Sequence, residues 1–198
     1  MSVFNKIKWI SGVLLVFFIV LATNIIDKNN FKQIRSSIVT IYEDRIVASD
    51  LIFEMSLLVK QKEMALASRD AAFFKGKNDS INREIQPLIE KYEGTKLTNE
   101  EEKIFNELKI NLEKLSLEEK QEGELASEGN EELLSTLNQV VQNLNDLSKV
   151  QLKEGRREMK RSNRAMETID LFTQIEIIFL VLIAVLIQIL ILYNPKPD

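Results

Sequence analysis

Apolar residues are arranged along this chain in two ways. Trp9 to Ile26 is 18 residues without a charge, and Ile177 to Tyr193 is 17 residues with Gln188 as its strongly polar exception. Between these blocks, apolar residues return every three or four positions against a background of Glu, Lys, Asn and Arg. The blocks have the length of membrane helices, about 26 Å each at the α-helical rise. The intervening pattern is that of amphipathic helices.

The pattern divides that middle region into four helices. Phe31, Ile34, Ile38, Ile41, Arg45, Ala48, Ile52, Met55, Val59, Lys62, Leu66, Arg69 and Phe73 form a seam of alternating three- and four-residue steps. It predicts one helix from Asp27 to Phe74, with Lys75-Gly76 as its stop and a turn at Asn78-Asp79-Ser80. Helix 2 places Ile81, Ile85, Leu88 and Tyr92 on one face, with Pro87 expected to kink or interrupt it and Gly94 to end it. Thr98-Asn99-Glu100-Glu101 reads as a capping box opening helix 3, which turns Ile104, Leu108, Leu112 and Leu115 inward to about Ala126. After a Ser127–Glu132 turn, helix 4 carries Leu133, Leu137, Val140, Leu144 and Leu147. Its core line then becomes Leu152, Gly155, Met159, Ser162, Met166 and Ile169, and it merges into the second apolar block. The fold expected is all-α: an up-down four-helix bundle whose helices 1 and 4 continue into two transmembrane helices.

The boundaries implied are an N-terminus over 1–8, membrane helices over 9–26 and 175–193, a bundle over 27–174 and a short tail over 194–198. Val20-Leu21-Ala22 could serve as a signal-peptide cleavage site, but the helical pattern runs past it, which favours a retained anchor. Trp9 and Tyr193 stand where an interfacial aromatic belt would put them. Lys and Arg flank the blocks on the bundle side as well as the outer side, so charge bias does not orient the chain.

Composition removes several functions. The chain has neither Cys nor His, which excludes disulfides, thiol nucleophiles and imidazole chemistry. Six Gly and three Pro are too few for glycine-rich phosphate loops, and no nucleotide, hydrolase or metalloprotease motif is present. No catalytic residue, metal site or cofactor is expected. A net charge of -4 gives no reason to expect a nucleic-acid partner.

The candidate binding residues are the cations on the helix 1 seam: Arg69 first, then Lys62 and Arg45. A buried cation needs a carboxylate, an interface or water. One reading pairs them with Glu113, Glu118 or Glu122. The other has them clamp the carboxylate of a small anionic ligand. In the membrane blocks, Asn24, Glu176 and Gln188 are candidates for polar contacts, either between the two helices or with another membrane protein. The seven basic residues from Lys149 to Arg164 read as a solvated face, one near anionic headgroups, or one that docks an acidic partner.

The runs "VTIYEDRIVASDLIFEM" (Val39 to Met55) and "LNDLSKVQLKEGRREMKRSN" (Leu144 to Asn163) resemble the four-helix-bundle sensor domain of methyl-accepting chemotaxis receptors. The likeness covers the chain from the first apolar block to the second. Ala48 stands where such proteins often carry proline, and no linker module or cytoplasmic signalling hairpin follows the second block. The resemblance implies an extracytoplasmic bundle in a bacterial inner membrane, acting as a homodimer and recognising a small anionic ligand. The short tail adds the expectation that any output passes to another inner-membrane protein. The competing expectation is an accessory subunit of an envelope complex that docks and binds no small molecule.

Overall fold

The computed structural model describes residues 3–122 and 130–192, and among them it contains helices and turns but no strand. The order is α1 (Val3–Thr40), a π-helical segment π1 (Ile41–Ile46), α2 (Val47–Ala67), a second π segment π2 (Phe73–Lys77), α3 (Asn78–Glu93), α4 (Asn99–Glu122) and α5 (Asn130–Leu192). Contacts divide the chain into two compact units, one of Val39–Glu158 and one of Met1–Ile38 with Met159–Asp198.

The first unit is the four-helix head. Its core is built by Ile52, Met55 and Val59 of α2, Ile81, Ile85 and Tyr92 of α3, Phe105, Leu108 and Leu115 of α4, and Leu133 to Leu147 of α5. The α5 line is the one periodicity predicts, and all five of its residues are buried. In α4, Leu108 and Leu115 are buried and Ile104 and Leu112 half-buried, as the pattern requires; Phe105 joins them, packed 4.8 Å from the Tyr92 ring. Pro87 does not interrupt α3. The expected turn before helix 4 falls largely outside the described residues, but α5 begins at Asn130 with Glu131 and Glu132 in its first turn, where the helix dipole favours acids.

Three expectations fail. The first helix stops at Ala67, not near Phe74. Asp70 N–H bonds Ala65 O at 2.9 Å and Arg69 N–H bonds Leu66 O at 3.1 Å, the paired closure of a Schellman turn. Arg69 stands at the left-handed position with φ 53°, where glycine is the usual occupant. The next helix starts at once because Asp70 Oδ1 accepts the N–H groups of Ala72 and Phe73, both at 3.1 Å. Asn78, expected in a turn, is therefore helical and buried.

The second failure is the seam's regularity. π1 adds one residue to a turn, so the inward face slips by one across it. After it, Ala48, Ile52, Met55 and Val59 are buried as expected; before it, Ser37 is buried while Ile38 and Phe31 are exposed. Third, the α5 line past Leu147 holds only in part: Ser162 is buried and Gly155 and Ile169 are half-buried as expected, but Leu152, Met159 and Met166 are exposed, and Gln151, Glu154 and Ala165 are buried instead. The reason in the head is polar: Gln151 is drawn inward by partners described below.

In the second unit, small side chains are buried (Thr23, Ser37, Ser162 and Ala165), while Val13, Phe17, Phe18, Ile178 and Leu182 are exposed. Two helices are long and apolar enough to cross a membrane, and their apolar windows are only 6% and 0% buried within the chain. A core helix of a water-soluble domain would be mostly covered. The side chains of Trp9 and Tyr193 lie outside the described residues.

Candidate functional site

Two polar layers cross the head. The first is built on Arg45, which π1 turns inward until the residue is 7% exposed. Its Nη1 contacts Glu101 Oε1 directly and donates to Gln151 Oε1 at 3.1 Å, while Nη2 donates to the Lys96 carbonyl at 3.2 Å. Gln151 passes the network on, its Nε2 donating to the Tyr92 hydroxyl at 3.1 Å. Burial first, and the nearby Glu101 charge, push the Tyr92 phenol up to about 12, with the Gln151 bond opposing them.

Glu101 is fully buried and has two roles. Its Oε2 accepts the Thr98 N–H at 2.6 Å while Thr98 Oγ1 accepts the Glu101 N–H at 3.3 Å, which is the expected capping box. Its other oxygen neutralises Arg45. The neighbouring turn is held from outside too, by Asp44 Oδ1 accepting the Lys96 N–H at 3.2 Å and by the Lys153–Glu100 ion pair at 2.7 Å.

The second layer surrounds Lys62, 1% exposed. Its ammonium has four oxygens within 2.7–2.8 Å: Asn78 Oδ1, Asn82 Oδ1 and both oxygens of Glu119. The two asparagine amides donate in turn to Glu119 Oε2. Desolvation pulls the Lys62 pKa down, opposed chiefly by the Glu119 charge and hydrogen bond. A buried ion pair is tolerable when its remaining valences are filled this way.

The structure thus seats Arg45 and Lys62 on internal carboxylates, but not on those named from sequence. Glu113 is exposed, Glu118 bonds Thr136 and Lys114, and the Glu122 side chain lies outside the described residues. Glu119 was within reach of sequence reasoning, since the inward line Leu108, Leu112, Leu115 continues to it at a step of four. Glu101 was identified as a cap but not as a counter-ion. Gln151, Asn78 and Asn82 carried no such signal. Arg69 joins neither layer; it lies exposed on the turn after α2.

In the membrane-type helices, Asn24 Nδ2 donates at 2.9 Å to Val20 O of its own helix, and Thr23 Oγ1 does the same at 3.0 Å. Glu176 is half-buried and Gln188 exposed. The basic stretch of α5 is partly paired, Lys149 with Asp146 and Arg157 with Glu154. No cluster of potential metal ligands occurs among the described residues. An open groove of about 340 Å³ between α4 and α5 is lined by Glu107, Ile110, Asn111, Gln139, Gln142 and Asn143.

The outer face of α2, together with Ile46 at the end of π1, carries a further feature. Ile46, Phe53, Leu57 and Met64 are all about half exposed or more, on the side opposite Ile52, Met55 and Val59.

The chain is thus a four-helix head with two internal polar layers, together with two membrane-type helices. The chain belongs to the family of four-helix-bundle sensory modules for signal transduction, whose family model matches residues 1–166. No curated protein and no solved structure matches it.

Proposed function

We propose that this protein is a chemoreceptor-like sensor subunit of a bacterial inner membrane. Its helical head lies outside the cytoplasm, receives a ligand or a partner, and passes the event to another membrane protein without catalysing a reaction. One observation carries the reading. α5 is a single helix that contains both the Leu133–Leu147 core line and the second apolar window, so a shift of its head portion is delivered into the bilayer. The outer row of α2 supplies a surface through which a neighbour, a second copy or another protein, could be engaged.

Within the head, Arg45 and Lys62 act as structural ion pairs, and Arg69 is the cation left on the surface for an anionic ligand. The test is thermal unfolding of the full chain in mild detergent against a panel of amino acids and organic acids. We expect one carboxylate compound to raise the midpoint, and the rise to vanish in Arg69→Gly. That substitution removes an unfavourable left-handed arginine, so the unliganded variant should be more stable by roughly 0.5–1 kcal/mol. If no compound shifts the midpoint, small-molecule sensing is lost and the docking role remains; a shift that survives Arg69→Gly removes Arg69 from it.

A further inference from the structure

The groove of about 340 Å³ between α4 and α5 lies wholly within the head, and its size is at the lower end for small-molecule sites. Its lining is mostly amide: Asn111, Gln139, Gln142 and Asn143. Glu107 is the charged residue among them, and Ile110, 65% exposed, is the apolar one.

Asn143 is no solvent-facing amide. It is 9% exposed, and its Oδ1 accepts from Asn111 Nδ2 at 2.8 Å. That bond orients both side chains. Asn111 is left with a free carbonyl, and Asn143 with an Nδ2 donor that has no acceptor among the described residues. Gln142 commits its Nε2 to Asp146 Oδ2 at 2.8 Å, which leaves its carbonyl open as well. The Glu107 carboxylate forms neither an ion pair nor a hydrogen bond among the described residues.

The groove therefore offers a carboxylate and two amide carbonyls against one buried donor. An acid or a phosphate would find no cation in this lining and would meet Glu107. An ammonium, with three donors and no acceptor, matches the surplus of acceptors. The Asn143 donor calls in addition for one neutral oxygen.

We infer that this groove binds a small organic amine that also carries hydroxyl groups, an amino alcohol or amino sugar. Its ammonium is held by Glu107 and the open carbonyls, an oxygen accepts from Asn143 Nδ2, and Ile110 covers its carbon skeleton. Arg69 does not line the groove, so this site adds to the sensory reading a ligand of opposite charge.

Calorimetric titration of the full chain in mild detergent tests this with ethanolamine, glucosamine, glucose and glucuronate. Mildly acidic buffer keeps both amines cationic. The three sugars share a ring and differ in charge. Glucosamine should bind roughly tenfold more tightly than glucose, ethanolamine should give heat, and glucuronate none. In Glu107→Gln the advantage of glucosamine over glucose should vanish. Ile110→Lys, which sets a cation at the rim, should abolish binding of both amines. Both positions are exposed, and a circular dichroism melt matching the parent confirms that the fold is kept. Arg69→Gly should bind glucosamine as the parent does. The proposal is overturned if neither amine gives heat, if glucose binds as tightly as glucosamine, or if Glu107→Gln changes nothing. Loss of glucosamine binding in Arg69→Gly would move the amine to another site and overturn it too. None of these results touches the carboxylate-shift test of the sensory reading.

Discussion

Tyr92 shows how much a single buried group can reveal. Its ring packs on Phe105, and its hydroxyl accepts from Gln151 in the layer built on Arg45. The folded phenol titrates at about 12, above the value of about 10 expected for an unfolded chain. Its contribution is therefore complete below pH 10 and is lost as pH rises from 10 towards 12, because the unfolded chain releases the proton first. Lys62 has the opposite sign: its pKa is lowered, so just below 10.5 the folded state releases its proton first and stability rises with pH. Tyr92→Phe keeps the ring and deletes the titration. We expect a loss of about 1 kcal/mol at neutral pH, from the unpaired Gln151 amide, and a shallower decline between pH 10 and 12. Melting followed by helicity across that range measures both, and unchanged alkaline slopes would show that Tyr92 does not govern them.

At the scale of elements, the informative segment is π1. A π turn holds one residue more than an α turn, so removing one from it restores an ordinary helix while both flanks keep their facing. Deleting exposed Glu43 should leave helicity intact and lower the midpoint by only a few degrees, about 1 kcal/mol in a chain of this size. Deleting exposed Glu54 from α2 rotates one half of the rod by about 100° against the other and exchanges buried for exposed residues. Its cooperative melt should disappear; similar behaviour of the two deletions would mean that the π turn does not absorb the slip.

The same segment explains what was legible in the sequence. The apolar lines of α3, α4 and the start of α5 are regular, and reading them at helical spacing finds the core. The rod's seam also looked regular, because steps of three and four pass through Ile41 and Arg45 without a gap; a π turn leaves no mark in such a count. The turn after α2 was missed for a related reason. Gly76 suggested a stop, whereas the chain closes on a left-handed arginine and restarts on the Asp70 side chain. Gln151 and Glu154 are inward-facing polar residues, so a rule that seeks apolar lines chose Leu152 and Met159 instead.

For the molecule as a whole, the family match and the two uncovered apolar windows agree with the architecture read from hydropathy alone. The candidate site was less legible, because a cation on a seam is ambiguous until its counter-ion is known. Arg45 and Lys62 found theirs on α4, at Glu101 and Glu119, residues separated from them by more than fifty positions. Only three-dimensional packing joins such pairs.

Glu101 makes the opening turn of α4 a strain gauge for the rod beside it. One carboxylate both closes that turn and shields a guanidinium, so pulling the guanidinium away leaves a buried anion without its counter-ion and loosens the first hydrogen bonds of the helix. In Arg45→Gln, deuterium should enter the Glu101 and Glu102 amides faster while Leu108, two turns on, keeps its protection. A stimulus that moves the rod would leave the same footprint in the unaltered protein.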